Sequence, residues 1–258
     1  MIKYLLPYLN ILIALPLCLA VIKYLAPDVL GKEWENTPSQ IIQDWGGKSF
    51  FKKGKLTEVN LNGTNFEPGK LTILGMFNDI TDVSLENVRI NEQDLSTLAK
   101  LPQLEWLNLY QTAIKDKGAQ ILSLSKSIKF LPVGQTGITD HGVFHLCEMK
   151  QLIYLGLRAN RITDQSAQYF AQLENLESLY LGETKVSNQT VQKIATLPKL
   201  KKLWLHDTKI NDKSVPFLAK IQSLEELHIY ATGITNEGAQ KLRKQLPRCR
   251  IIHEVFPQ

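Results

Sequence analysis

Side chains able to do chemistry are few in this sequence, and they fall in two places. His141 and His145 are four residues apart, which sets both on one face of a helix, and Cys147 follows closely. Imidazole and thiolate are zinc-ligand types, but a structural site needs four of them and no further ligand is near, so no metal is expected. His206 and His228 form the second group with Asp207, Glu226 and Tyr230. Imidazoles beside carboxylates can make a pH-sensitive corner, or they can be ordinary polar members of a surface. The sequence contains no nucleophile–base motif, phosphate loop or paired-carboxylate device. Convergent titratable groups are what catalysis requires, so the chain does not read as an enzyme and calls for no cofactor.

What positions these residues is a repeat. From Leu104 to Pro247 one phrase is written six times, starting at Leu104, Ile128, Leu152, Leu176, Leu200 and Leu224, each 24 residues after the last. The same phase reaches back to Ile80 and Leu56. A fixed period of this length with an L-x-x-L-x-L core is a solenoid signature. Three residues after each phase position stands a Val or Leu (Val59 through Leu227), and two further on another aliphatic residue (Leu61 through Ile229). That alternation makes a short strand with its aliphatic side chains turned inward. A mostly threonine column follows (Thr112, Thr136, Thr184, Thr208, Thr232, with Asn160 as the exception), suited to hydrogen-bonding the backbone where the chain leaves the strand. Asp116, Asp140, Asp164, Asn188, Asp212 and Asn236 recur next and read as N-caps of the helix behind them. Ala167, Phe170 and Leu173 exemplify the apolar face of that helix. The expected architecture is therefore α/β: a curved parallel sheet on the concave side and helices on the convex side. The second half of the Leu56 unit is degenerate and is not expected to form a regular helix.

Placed in these columns, the first group of histidines loses its metal character. His141 shares a variable column and should be exposed, whereas Cys147 shares one with alanines and should be a buried filler. The outward strand positions are more informative. Trp106, Phe130 and Tyr154 lie on one rail, Tyr180, Trp204 and His228 on the next, and Tyr110, Arg158, His206 and Tyr230 on a third. Pro132, Gly134, Gly156 and Gly182 should leave shallow space beside this band. Aromatic cross-strand pairs can be sheet stabilisation alone. Exposed Trp and Tyr clustered with an Arg also match the composition of interaction hot spots. The ten residues from Trp106 to Tyr230 are therefore the expected ligand-binding face, and the same rings could stack on a glycan.

The phrases Thr136–Leu157 (TGITDHGVFHLCEMKQLIYLGL) and Thr232–Ile251 (TGITNEGAQKLRKQLPRCRI) resemble the ribonuclease-inhibitor-like class of leucine-rich repeats. More narrowly, they are similar to its 24-residue bacterial form, found in exported or membrane-anchored proteins. That form tends to carry a Gly-Gly N-terminal cap and a closing L-P-x-C-x-I, matched by Gly46-Gly47 and by Leu246, Pro247, Cys249 and Ile251. The resemblance covers about residues 38–256. It implies binding to a protein or other macromolecule and implies no catalytic residues.

The ends complete the expected organisation. Leu5–Ile22 is an apolar run broken only by Pro7, Asn10 and Pro16, with Lys3 before it and Lys23 after. At helical rise it spans about 27 Å, enough to cross a hydrocarbon core. Residues 1–25 therefore read as a signal anchor or, if cleaved, a signal peptide. A lipoprotein signal at Cys18 fits less well, because Leu17 stands where a small residue belongs. Residues 26–37 read as a linker, 38–55 as an N-terminal cap with a short helix and a hairpin at Lys53-Gly54, 56–247 as the repeats and 248–258 as a closing strand. The chain has 30 Lys and Arg against 25 Asp and Glu, without a block of like charges, so no nucleic-acid footprint is expected. Cys18, Cys147 and Cys249 are neither a disulfide framework nor a zinc pattern. The expectation is an envelope-anchored or secreted, non-catalytic protein whose concave face binds a protein partner. The alternatives are a self-assembling scaffold, with Phe50, Phe51 and Phe256 as exposed apolar ends, and a glycan-binding module.

Overall fold

The computed structural model describes residues 38–254. The expected anchor and linker (1–37) and Phe256 lie outside the described residues, and no described helix is long and apolar enough to cross a membrane.

Helix α1 (Pro38–Asp44) leads into an antiparallel hairpin of β1 (Lys48–Lys52) and β2 (Lys55–Asn60). Its two-residue turn has Lys53 and Gly54 at φ of 52° and 76°, the paired left-handed geometry that matches the twist of a hairpin. Parallel strands then add one per repeat: β3 (Asp82–Ser84), β4 (Trp106–Asn108), β5 (Phe130–Pro132), β6 (Tyr154–Gly156), β7 (Ser178–Tyr180), β8 (Lys202–Trp204), β9 (Glu226–His228) and β10 (Arg250–Ile252). They form one sheet in chain order, and partners across it are 24 residues apart, as in Tyr180↔Trp204. Behind the sheet run α2 (Glu92–Lys100), α3 (Lys115–Leu122), α4 (Asp140–Leu146), α5 (Ala167–Phe170), α6 (Asn188–Ile194), α7 (Val215–Leu218) and α8 (Asn236–Gln245). The degenerate Leu56 unit closes with a 3-10 helix, Lys70–Met76. Its entry is held by Asp94, a fully buried carboxylate that accepts from Gly69 N (2.8 Å) and Leu71 N (3.0 Å).

The core is one column of aliphatic side chains between sheet and helices. Leu104, Leu107, Leu109, Leu152, Leu155, Leu157, Leu200, Leu203 and Leu205 are all at 0% exposure. Each such side chain contributes about 1.5–3 kcal/mol relative to exposure. The threonine column does what its position suggests. The hydroxyls of Thr112, Thr136, Thr184, Thr208 and Thr232 donate to the carbonyl three residues back at 2.5–2.7 Å, and Asn160 donates to both Val133 O and Leu157 O.

The aspartate column works differently from the expected N-cap. Most helices in the array are capped by the preceding residue, with Thr139, Thr163, Ser187, Asn211 and Thr235 accepting from the first turn. Each aspartate instead reaches the next repeat. Asp164 accepts from Ser187 N (2.8 Å), Ser187 Oγ (2.5 Å), Thr190 N (3.2 Å) and Thr190 Oγ1 (2.6 Å). Asp116, Asp140 and Asp212 make the corresponding bonds to Thr139, Thr163 and Thr235. The column is a staple between neighbours, so it holds the stack rather than the single helix. Burial alone would raise the Asp164 carboxyl, but its four hydrogen bonds hold it below the usual carboxylate range.

A further column becomes visible only in the backbone. Gly63, Asn87, Gln111, Gln135, Ala159, Glu183, Asp207 and Ala231 recur every 24 residues, all in the left-handed region at φ between 53° and 66°. This is the turn that ends each strand, and it fixes where the side chain at that position points.

Candidate functional site: the aromatic band of the concave face

Parallel strands set equivalent side chains about 4.8 Å apart, close enough for rings on neighbouring strands to touch. Trp106, Phe130 and Tyr154 are register partners on β4, β5 and β6. From Tyr154 onward the rings meet. Tyr154 lies edge-on to Tyr180 at 4.9 Å, Tyr180 stacks on Trp204 at 4.0 Å and 4°, and Trp204 continues to His228 at 4.3 Å. The handover from the first rail to the second takes place across Gly156 and Ser178, where no large side chain intervenes. A second row runs beside the first: the Arg158 guanidinium pairs with Glu183 (Nε to Oε1, 2.7 Å), and His206 stacks on Tyr230 at 4.7 Å.

Except for Arg158 and His206, the ten expected face residues are half-buried. Arg158 is exposed. His206 corrects the expectation of a solvent-facing residue. It is 4% exposed, lies flat over Gly182 and is covered by Tyr230, and its Nδ1 has no hydrogen-bond partner among the described residues. Burial, and then the nearby Arg158 charge, keeps its imidazole below the ordinary histidine range, so it is neutral at neutral pH.

The expected shallow spaces are also corrected. A Cβ built on Gly134 would lie 2.8 Å from the Tyr110 ring, one on Gly156 would lie 2.7 Å from the Tyr154 hydroxyl, and one on Gly182 would meet His206. These glycines are floors on which rings rest, and the rings already occupy the space. Gly134, Gly156 and Gly182 are therefore required by the band rather than left open beside it.

Electrostatically the band is held by two carboxylates. Glu226 accepts from His228 Nε2 (2.5 Å) and from Trp204 Nε1 (3.3 Å). Burial works to raise its carboxyl, but the His228 hydrogen bond and charge outweigh it and hold it below the usual range. Glu183 is the residue that column reading missed: it occupies the left-handed turn position, and only that backbone geometry aims it at Arg158. The Glu183 hydrogen bond holds the Arg158 guanidinium firmly protonated. Burial pushes the Tyr154 and Tyr180 phenols up, so both are neutral donors at neutral pH. The arrangement offers ring edges, phenol hydroxyls and one guanidinium.

The other histidine group lies on α4, behind the sheet. His141 and His145 approach edge-on at 5.0 Å beside Phe144 and Tyr169, while Cys147 is turned into the core at 0% exposure and burial pushes its thiol far up. Among the described residues no group of three His, Cys, Asp or Glu side chains is placed to hold a metal ion.

No family model matches the chain, and no curated protein does. Among solved structures it is similar to internalin C2 from Listeria monocytogenes, at 25% identity and a TM-score of 0.64 over 77% of this chain and 81% of that one. That likeness, with the 24-residue register of the sheet, makes this chain a leucine-rich-repeat solenoid.

Proposed function

We infer that this is a non-catalytic binding module of the 24-residue, ribonuclease-inhibitor-like bacterial type. It is displayed on the cell envelope by residues 1–25, or secreted if they are cleaved. Residues 38–55 and 248–258 cap the array, and the concave aromatic band takes a protein partner. The observation that carries this reading is the continuous half-buried stack Tyr154–Tyr180–Trp204–His228 with Arg158 beside it. Rings clamped against each other and against glycine floors lose little rotamer freedom on binding, which lowers the entropy cost of association. The similarity to a solved internalin supports the same reading at the level of the scaffold.

Ring orientation supports a protein over a glycan as ligand. Sugar rings stack on open aromatic faces, but the facing surfaces of Tyr180 and Trp204 are 4.0 Å apart and parallel. Trp204 lies between Tyr180 and His228 in the register, so its edge rather than a free face is left for a ligand, and edges carry the positive side of the ring quadrupole. Such a comb suits backbone carbonyls, carboxylates and aliphatic side chains of a protein surface.

The test is capture from native envelope extract by the wild-type chain and by a Tyr180→Ala/Trp204→Ala/Tyr230→Ala variant, with circular dichroism to check folding. A partner retained by wild type and lost by the folded variant supports the reading. Equal capture by both sinks it. Binding of soluble polysaccharide, read as a change in tryptophan fluorescence, would move the assignment to a glycan.

A further inference from the structure

The terminal hairpin carries a feature that the aromatic band does not account for. Phe50 and Phe51 on β1 are 49% and 47% exposed, although they occupy the edge of the sheet. In an antiparallel pair, side chains directly opposite point to the same face. Phe50 is opposite Glu58 and so lies on the concave side, whereas Phe51 is opposite Leu56 and lies on the core side, with a register shift between them. The hairpin thus exposes a large ring on each of its two faces. Lys48, Lys52, Lys53 and Lys55 lie on the same hairpin, against Glu58 within it, and Lys55 is paired with Asp79 (2.8 Å).

Lysines on an edge strand commonly serve to block pairing with another sheet. They do so here. A second copy adding antiparallel at β1 in the register centred on Phe50 would set Lys48 against the other copy's Lys52, and like charges directly opposite are destabilising. Edge protection explains the lysines but not two exposed phenylalanines, which raise the tendency to associate. A flat protein surface could cover one face of the hairpin and leave the other ring in water. A fluid interface surrounds an inserted edge on both faces. Aromatic rings at the level of lipid headgroups, with lysine stems lying along apolar surface and ammonium groups in contact with lipid phosphates, are the composition of an interfacial membrane contact. Chain continuity points the same way. Fifteen residues lie between the end of the apolar run Leu5–Ile22 and Pro38, a stretch that reaches at most ~55 Å when fully extended. Any bilayer holding that run is therefore within reach of the hairpin.

We propose that the β1–β2 hairpin is a lipid-contact edge, with Phe50 and Phe51 seated in the interface of an anionic bilayer and Lys48, Lys52 and Lys53 on its phosphates. This sets the solenoid end-on to the membrane and leaves the aromatic band clear. The proposal is independent of which partner the band takes.

Hydrogen exchange on the full chain tests it peptide by peptide. With vesicles of equimolar phosphatidylglycerol and phosphatidylcholine, amides of residues 48–55 should exchange about tenfold more slowly than without vesicles. Phosphatidylcholine alone should give distinctly weaker protection. The Phe50→Ser/Phe51→Ser variant should lose the protection at 48–55 while the repeats exchange as in wild type. Three results would overturn the assignment: unchanged exchange at 48–55 while residues 5–22 become protected, equal protection by the neutral and anionic vesicles, or protection that appears without lipid as protein concentration rises. The last would mean that a second copy covers the edge.

Discussion

The two ends of the concave face share one backbone and differ in what they leave unsatisfied. Beside Trp106, at the β2 to β4 end, the outward side chains from Asn62 to Asn108 form a polar ladder. Asn62 Oδ1 accepts from Ser84 Oγ (2.7 Å) and Glu86 N (2.8 Å), and Asn108 donates to Ser84 Oγ (3.2 Å). On β6 to β9 the neighbouring outward positions carry Tyr154, Tyr180, Trp204, His228 and Tyr230, interspersed with Ser178 and Lys202 and tied by Arg158, Glu183 and Glu226. Both arrangements tie neighbouring strands together. Hydrogen bonds made within the ladder are not available to a ligand, so it offers a partner little. The rings keep their outer edges and much apolar area in water, and that area is what binding can remove. A repeat scaffold can therefore use the same column for cohesion at one end and recognition at the other.

The contrast can be broken most directly by swapping losses. Tyr180→Ala/Trp204→Ala should weaken partner capture by about 100-fold or more, whereas Asn62→Ala should leave capture within about twofold. The reverse pattern would assign recognition to the ladder. The next effect is on stability, where the staple should outweigh the ladder. Asp164→Ala leaves four donors of the next repeat without their acceptor and should cost about 2–4 kcal/mol in chemical denaturation, while Asn62→Ala should cost about 1–2 kcal/mol.

Two pH effects sharpen the comparison, because both belong to the aromatic half. The Asp164 carboxyl is held low in the fold. Its contribution is therefore present above the unfolded carboxylate pKa and is lost as pH falls below about 4. His206 is a base whose folded pKa is depressed. The unfolded chain takes up the proton first, so stability is full above about pH 6.5 and declines below it until the folded pKa is passed. Thermal melts at pH 7.5 and pH 5 should show a smaller drop for His206→Phe than for wild type. An equal drop would place the pH dependence elsewhere.

The smallest effect concerns the left-handed column. Gly63 at the polar end and Ala159 at the aromatic end hold the same conformation, at φ of 66° and 56°. Gly63→Ala should lower stability by about 0.5–1 kcal/mol and Ala159→Gly should raise it by less than about 1 kcal/mol, since the relief of αL strain is offset by glycine's unfolded entropy. Melting curves for the pair check this. Equal signs would mean that the two turns are not equivalent.

The period, the strand and helix of each unit, the inward leucines and the threonine bonds were all legible in the sequence, because each follows from a local rule repeated at constant spacing. Repetition averages out the ambiguity of any single short strand. The candidate band was legible as a set of residues, since alternation along a strand settles which side chains face outward. Three things were decided only by the stacked structure. The aspartates serve the following repeat, because the hydroxyl and amide they reach are 23–26 residues away and come near only once the helices are stacked. Glu183 meets Arg158, and His206 is buried under Tyr230, because the left-handed turn and the strand spacing set their directions. Glycines that read as open space became floors for rings, since whether a missing side chain leaves a pocket depends on which neighbour across the sheet fills it.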